Sequence, residues 1–271
     1  MTIAADLRSL GLGTGDRVVV HSSLRAVGPV EGGADAIVDA LLDVLGPEGL
    51  LMVPAFTYTT KRFDPAVEPG RTGALAEAVR LRPGAVRSLH PTHSVAALGA
   101  GARELCAGHE DLAATDVDSP LDRLARAGGY VLLLGVGHIA DTTVHVGEFR
   151  ASAPYLDIPF SPAWPRVHEI VSGGETRTVE YDRFPGCSRA FGVVERGLRE
   201  RSVIRDGRVG RAESQLVPGE ALIEETVALL DRDAYALLCS DARCHRCARV
   251  RERLSPDPGA RDRGAEAGRG G

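Results

Sequence analysis

The chain has 271 residues, a hydrophobic fraction of 44% and a formal net charge of −5 at pH 7. These totals are typical of a globular protein with ample core, and the negative charge argues against a broad basic surface for nucleic acid. No apolar run approaches the roughly 20 residues that span a bilayer, and the first residues lack the basic and apolar regions of a signal peptide. We therefore expect a cytoplasmic protein with no nucleic-acid or membrane partner, whose five cysteines are reduced.

The first 54 residues have the pattern of a βαβ unit. The predicted elements are a leading helix, a strand, a helix and a second strand, over Ile3–Leu12, Asp16–His21, Gly33–Leu45 and Leu50–Pro54. This order predicts a parallel strand pair. Ligands of such sheets bind beyond the carboxyl ends of the strands, so the loop starting at His21, Ser22 and Ser23 is a candidate binding loop. Its backbone N–H groups could bind an anion or an amide; the alternative is a plain polar loop.

The remaining pattern predicts an α/β fold with a central mixed, partly parallel sheet flanked by helices, and a C-terminal hairpin and helical extension. Further strands are predicted over Ser94–Leu98, Tyr130–Val136 and Ala236–Cys239, and further helices over Gly73–Leu81, Pro120–Ala127, Cys187–Arg199 and Leu222–Leu230. Alternating polar and apolar residues predict a hairpin of Arg166–Ser172 and Glu175–Asp182.

We expect one domain over residues 1–254, with a core of about residues 1–150 and a second part of about residues 151–254. Residues 255–271 have no large aliphatic or aromatic side chain, which predicts a disordered tail.

The stretch Leu132–Glu148 is the main candidate for a reaction centre. A short apolar strand ends in glycines there, and Asp141 or Thr142 can cap the helix that follows. On that helix His145 and Glu148 are three residues apart and share one face. A histidine held by a carboxylate is a common general base near neutral pH, because its reference pKa is about 6.5. The alternative is a buried histidine beside an unrelated surface glutamate.

Other polar groups could complete such a site. Glu180 and Asp182 end a predicted strand and could orient the imidazole from its far side, or they could be solvated groups at a hairpin edge. His90, His93 and Ser94 could line the same cleft. Their HxxH spacing lacks the helical context of a zinc protease, so it is a weak metal signal.

The cysteines predict a second kind of site. Cys244 and Cys247 form a CxxC pair, and Cys187 and Cys239 are available to complete a set of four ligands. Structural zinc takes four soft ligands in tetrahedral geometry. The alternative is a group of reduced free thiols.

Several motifs in the same order resemble the aminoglycoside 3-N-acetyltransferase family, which transfers acetyl from acetyl-coenzyme A. The resemblance covers most of residues 15–150, and a weaker match continues to about Arg251. The matching stretches are Val18–Gly33, Met52–Phe56, Pro69–Gly99, Ser119–Leu124 and Leu132–Glu148.

The resemblance implies roles for individual residues. In the family's TxxHxxE signature, the general base, its carboxylate partner and the threonine correspond to His145, Glu148 and Thr142. In the family, coenzyme A is bound by the HSSL loop, the HPTHS segment and the same threonine. The resemblance therefore implies coenzyme contacts at His21, Ser22, Ser23, Leu24, Val27, Gly28, His90, Ser94 and Thr142. Some members have a further carboxylate near Asp182. One subgroup has cysteines that match Cys187, Cys244 and Cys247, which favours structural zinc at these residues. Cys239 could supply the fourth ligand, and His245 is the alternative.

The expected function is acetyl-CoA-dependent N-acetylation of an aminoglycoside at the 3-amino group, by direct transfer within a single catalytic domain. The expected partners are acetyl-CoA and a small-molecule amine, and the chain is expected to be a monomer or homodimer. The acidic stretch Glu110–Asp118 and Asp157 could attract a cationic acceptor. Two alternatives stay open: acylation of a different amine in a biosynthetic pathway, and an aminoglycoside-binding protein without turnover.

Overall fold

The computed structural model describes residues 2–58 and 60–254. The tail predicted to be disordered, 255–271, lies outside the described residues. The strands are β1 (Arg17–Ser22), β2 (Leu50–Pro54), β3 (Arg62–Phe63), β4 (Val86–Arg87), β5 (Val95–Gly99), β6 (Tyr130–Leu134), β7 (Val167–Ser172), β8 (Glu175–Glu180), β9 (Arg205–Val209) and β10 (Ala212–Pro218). The helices are α1 (Ile3–Leu10), α2 (Leu24–Val27), α3 (Gly33–Leu45), α4 (Ala74–Arg80), α5 (Ala102–Cys106), α6 (Pro120–Arg126), α7 (Thr143–Arg150), α8 (Val194–Glu200), α9 (Gly219–Arg232) and α10 (His245–Leu254).

Seven strands form a mixed sheet in the order β4-β5-β2-β1-β6-β10-β9. Strand β1 pairs in parallel with β2 and with β6, and the other neighbours pair antiparallel. Helix α3 connects β1 to β2, as a parallel pair requires a crossover. The predicted βαβ unit and the mixed, partly parallel sheet are therefore confirmed.

The central strands are buried on both faces, because helices cover both sides of the sheet. Successive side chains of a strand point to opposite faces. Accordingly, Val18 and Val20 of β1 pack into a core shared with α1, α3 and α4, whereas Val19 packs into a second core shared with α6 to α9. The result is a three-layer arrangement in which the carboxyl ends of β1, β2 and β6 lie at one edge.

A second, three-stranded sheet in the order β3-β7-β8 contains the predicted hairpin. The predicted short strand Ala236–Cys239 is wrong, because that segment is a turn and an irregular stretch after α9. The hairpin of β9 and β10, which the sequence pattern did not predict, pairs antiparallel with β6. Among the described residues, no helix combines the length and the apolar character needed to cross a bilayer.

Candidate active site

Helix α7 starts where the central strand β6 ends. The chain leaves β6 through Gly135, whose φ of +70° lies in the left-handed region that glycine adopts easily. After a short 3-10 turn, an Asp141 carboxylate oxygen accepts a hydrogen bond from the N–H of Thr143 at 3.1 Å. Of the two residues that the sequence offered as caps, Asp141 is therefore the one whose side chain accepts from the first turn of α7.

Two contacts fix the position of α7 in the core. Gly147 packs so closely on α9 that an added Cβ would lie 2.4 Å from the Cβ of Thr226. At the end of α7, Arg150 donates from Nε to Asp122 of α6 at 2.7 Å and binds Glu220 of α9. The helix that carries His145 is therefore held between its neighbours.

His145 and Glu148 form a hydrogen-bonded pair. The His145 Nδ1 lies 2.6 Å from the Glu148 Oε2. An ionised carboxylate only accepts hydrogen bonds, so Nδ1 carries the proton and Nε2 is left as the basic nitrogen. The imidazole packs edge-on against Phe191, with ring centroids 4.6 Å apart. This pairing is the one that the spacing on the helix predicted.

Glu148 has no exposed surface and is held by two further donors. The backbone N–H of Gly186 donates to Oε2 at 2.8 Å, and the Tyr155 hydroxyl donates to Oε1 at 2.9 Å. Burial by itself raises the pKa of Glu148, but the neighbouring His145 and these hydrogen bonds outweigh it, so the pKa lies below its ordinary value. The carboxylate is thus ionised at neutral pH.

A cleft of about 760 Å³ lies against this pair. Of the residues predicted to contact coenzyme, four line it: His21, Ser22, His90 and Thr142. Thr142 is the N-cap residue of α7, yet its side chain makes no capping hydrogen bond. Its hydroxyl therefore remains available to a ligand.

The other predicted coenzyme residues lie beside the cleft. Ser23 and Gly28 flank the short helix α2, and the side chains of Leu24 and Val27 pack into the core. Ser94 is fully buried, where its hydroxyl donates to the Ala55 carbonyl at 2.8 Å. The cleft lining therefore includes no side chain of Ser23, Leu24, Val27 or Ser94.

Asp182 does not line the cleft, and the carboxylate that holds the imidazole is Glu148. Alternation along the chain after β8 explains this placement. Glu180 and Asp182 are exposed, whereas Tyr181 between them turns inward and stacks on His90 with ring centroids 4.6 Å apart. The hairpin thus contributes an aromatic ring rather than a second carboxylate.

Most of the cleft lining was not identified from the sequence. It contains six aromatic residues and two arginines: Phe56, Tyr58, Phe160, Trp164, Tyr181, Phe184, Arg71 and Arg183. They come from the loops after β2, between β3 and α4, before β7 and after β8. The aromatic and proline content of the stretch before β7 was the available signal.

The acidic stretch Glu110–Asp118 does not present free carboxylates to the cleft. Asp111 binds Arg177, Asp116 binds Arg183 at 2.8 Å, and Asp118 binds Arg126 at 2.5 Å. Asp157 binds Arg253 at 2.5 Å, away from the cleft lining. The expected attraction of a cation to these residues is therefore offset by arginines.

Three histidines of the cleft lining, His21, His90 and His93, have pKa values lowered by burial. Burial, together with nearby histidines that include His145, lowers the pKa of His93 to about 3. Burial also lowers the pKa of His21, although Asp141, 3.9 Å from its Nε2, opposes part of that effect. Burial holds the pKa of His90 well below its ordinary value. These rings can therefore offer hydrogen bonds without adding positive charge.

Cys187, Cys239, Cys244 and Cys247 form a compact buried cluster. Their four Sγ atoms lie within 4.8 Å of one another, with neighbouring pairs at 3.6–3.8 Å. A tetrahedral zinc with Zn–S bonds of about 2.3 Å would place its sulfurs about 3.8 Å apart. The donor set and its spacing therefore fit the predicted structural zinc site.

Comparisons with known sequences agree with this architecture. The family described as Aminoglycoside 3-N-acetyltransferase matches residues 19–231. Aminoglycoside N(3)-acetyltransferase VII of Streptomyces paromomycinus is 37% identical over 261 residues, which covers 84% of this chain and 90% of that protein. Aminoglycoside N(3)-acetyltransferase IV of a Salmonella species is 33% identical over 239 residues, covering 87% and 88%.

Solved structures are similar over nearly the whole chain. A variant of aminoglycoside acetyltransferase AAC(3)-IVa in complex with a gentamicin has a TM-score of 0.82 at 32% identity, covering 92% of this chain and 95% of that one. AAC-IIIb in a binary complex with CoASH has a TM-score of 0.75 at 29% identity, covering 85% and 95%. The chain therefore belongs to the aminoglycoside 3-N-acetyltransferase family and is an acyltransferase.

Proposed function

We propose that the protein catalyses acetyl-CoA-dependent N-acetylation of an aminoglycoside at the 3-amino group, with His145 as the general base. The observation that carries this proposal is the His145–Glu148 pair at the edge of a cleft of about 760 Å³. The solved relatives bind a gentamicin, apramycin and CoASH. The chemistry of the site is consistent with the same two classes of substrate.

In the proposed reaction, the acceptor nitrogen attacks the thioester carbonyl carbon of acetyl-CoA. A C–N bond forms, the C–S bond breaks, and the thiolate of coenzyme A leaves. The proton of the attacking amine passes to the Nε2 of His145. The Nδ1–H remains bonded to Glu148, whose negative charge stabilises the imidazolium. The transfer is direct and needs no acyl-enzyme.

Charge also develops on the thioester oxygen as the amine attacks. We assign its stabilisation to the Thr142 hydroxyl, which lines the cleft at the start of α7 and makes no capping bond. A single donor of this kind typically contributes about 10²–10³ in rate. His21 and Ser22, at the carboxyl end of β1, are placed to contact the coenzyme.

Replacement of His145 tests the mechanism. We expect His145→Ala to lower kcat by about 10²–10⁴-fold in a thiol-release assay, because the general base is lost. Binding of acetyl-CoA, measured by calorimetry, should persist. Wild-type turnover by the purified variant would contradict the mechanism. Tight aminoglycoside binding by the wild type without any thiol release would instead indicate a binding protein.

One observation favours a second candidate, the acylation of a less cationic amine. Among the described residues that line the cleft, the sole carboxylate is Asp141, which is fully buried beneath His138 and His21. Six aromatic rings line the same cleft. An acceptor panel of aminoglycosides and aromatic monoamines separates the candidates, since the second predicts the higher kcat/KM for a monoamine.

The cysteine cluster is proposed to hold zinc through Cys187, Cys239, Cys244 and Cys247. Its four thiols come from two distant parts of the chain and are all buried. Bound zinc would join the segment before α8 to the start of α10 and would contribute to folding.

Elemental analysis of protein purified without added metal tests this proposal. We expect about one zinc per chain, because structural sites bind tightly enough to survive purification. Cys244→Ser should lose the metal. Cys106→Ser is the matched control, since Cys106 is a buried thiol outside the cluster. A wild-type preparation with essentially no metal would exclude the site.

A further inference from the structure

Arg246 carries a buried guanidinium outside the cleft lining. It lies inside the CxxC pair at the start of α10, and only 2% of its surface is exposed. Its guanidinium donates to three backbone carbonyls, those of Ile158, Tyr155 and Phe184. Burying a guanidinium is strongly unfavourable unless its donors are satisfied. An arginine at this position must therefore stabilise the two segments that it joins.

Those two segments are the ones that hold the catalytic carboxylate. The first contains Tyr155, whose hydroxyl donates to the Glu148 Oε1. The second runs from Phe184 to Gly186, whose N–H donates to the Glu148 Oε2. The carbonyls of Tyr155 and Phe184 lie 3.4 and 3.3 Å from the Arg246 Nη2. One guanidinium nitrogen thus bridges both supports of Glu148.

The charge of Arg246 acts in the same direction as its hydrogen bonds. Glu148 is fully buried, and its negative charge and that of the guanidinium attract each other. Gly186 also directly precedes Cys187, and Arg246 directly precedes Cys247. The cysteine cluster therefore adjoins both the second of these segments and Arg246 itself.

We infer that Arg246 is a positioning residue for the His145–Glu148 pair, acting through the two backbone segments that hydrogen-bond Glu148. The inference rests on the proposed function, in which that pair removes the proton of the acceptor amine. It assigns Arg246 no contact with either substrate.

Replacement of Arg246 tests the inference. Arg246→Met keeps the apolar bulk but removes every donor, and we expect kcat to fall about 10–100-fold, because small misplacements of a catalytic group have effects of this size. The KM for acetyl-CoA should change less than about threefold, since the coenzyme contacts are untouched. Arg246→Lys keeps the charge and should recover part of the lost kcat.

Arg249→Met is the matched control. Arg249 lies on the next turn of α10 and donates to the carbonyl of Pro159, but it has no bond to the segment of Gly186. Its kcat should stay within about twofold of wild type. An equal loss of kcat in Arg249→Met, or wild-type kcat in folded Arg246→Met, would overturn the inference.

Two further measurements keep the inference testable. If Arg246→Met does not fold, Arg246→Lys, Tyr155→Phe and the double variant are compared instead. The loss of kcat in the double variant should be smaller than the two single losses combined, because both changes act on Glu148. If the two losses combined additively, a common action of Arg246 and Tyr155 through Glu148 would be refuted. The proton NMR signal of the His145 Nδ1–H can be measured without any substrate amine. It should shift in Arg246→Lys but not in Arg249→Met. Lack of turnover by the wild type would contradict the proposed function, whereas an unshifted signal would contradict the positioning role.

Discussion

Replacing Glu148 by glutamine removes one charge from the site and little else. The carboxylate accepts three hydrogen bonds, from His145, Gly186 and Tyr155. An amide oxygen in place of Oε2 would keep the first two, and the Tyr155 hydroxyl can rotate to accept from the amide nitrogen. We therefore expect Glu148→Gln to fold and to bind acetyl-CoA like the wild type.

In the proposed mechanism, His145 becomes positively charged during proton transfer, and the loss should appear at that step. Two unit charges about 4 Å apart attract by about 4 kcal/mol at an effective dielectric constant near 20. A neutral amide at the same place stabilises the imidazolium far less. Since about 1.36 kcal/mol corresponds to a factor of ten in rate, kcat should fall about 10²–10³-fold.

A thiol-release assay with saturating acetyl-CoA and acceptor measures this effect. Asp182→Asn is the matched control, because it also neutralises one carboxylate but at an exposed position. Its kcat should stay within about twofold of wild type. If Glu148→Gln retained more than about a fifth of wild-type kcat, the role of Glu148 as the charged partner of His145 would be refuted.

Two further predictions concern Gly186 and His109. In Gly186→Ala the new Cβ would lie 2.0 Å from the Glu148 Oε1, so the melting temperature and kcat should both fall. Gly192→Ala is the control, because no atom lies within 4 Å of the Cβ it would add, and both quantities should stay near wild type. Burial lowers the pKa of His109 to about 4 from 6.5, so the unfolded chain binds a proton more readily and stability is lost as pH falls from about 6.5 towards 4. Between pH 7 and pH 5 this histidine should reduce the free energy of unfolding by about 2 kcal/mol in urea titrations. His109→Gln should lack that part of the pH dependence, and an unchanged dependence would contradict the assignment.

Local patterns predicted the contact between His145 and Glu148 because its geometry is local. The three-residue spacing of His145 and Glu148 on a helix fixes their contact, and Asp141 as a cap fixes where that helix starts. The parallel pair of β1 and β2 likewise follows from alternating strand and helix patterns. These features needed no knowledge of distant contacts.

Features that depend on distant contacts were missed. Strand β10 contains polar residues and gives only a weak strand pattern, yet it pairs with β6, where Ser214 lies opposite Leu134. Asp182 was a candidate for a second carboxylate beside His145, with a solvated hairpin edge as the alternative. Strand alternation leaves Asp182 exposed and turns its neighbour Tyr181 inward instead. Arg246 gave no signal, since its partners are backbone carbonyls some sixty or more residues away in sequence.

The distance along the chain between His145 and the start of α10 has a consequence for protein synthesis. The ribosome completes the central sheet strands and the reacting imidazole well before it delivers Cys244 and Cys247. Until those residues emerge, the segments beside Glu148 lack the arginine that joins them. We therefore expect a nascent or prematurely terminated product to contain the His145–Glu148 pair without Arg246 and to reach full turnover only once α10 has been made.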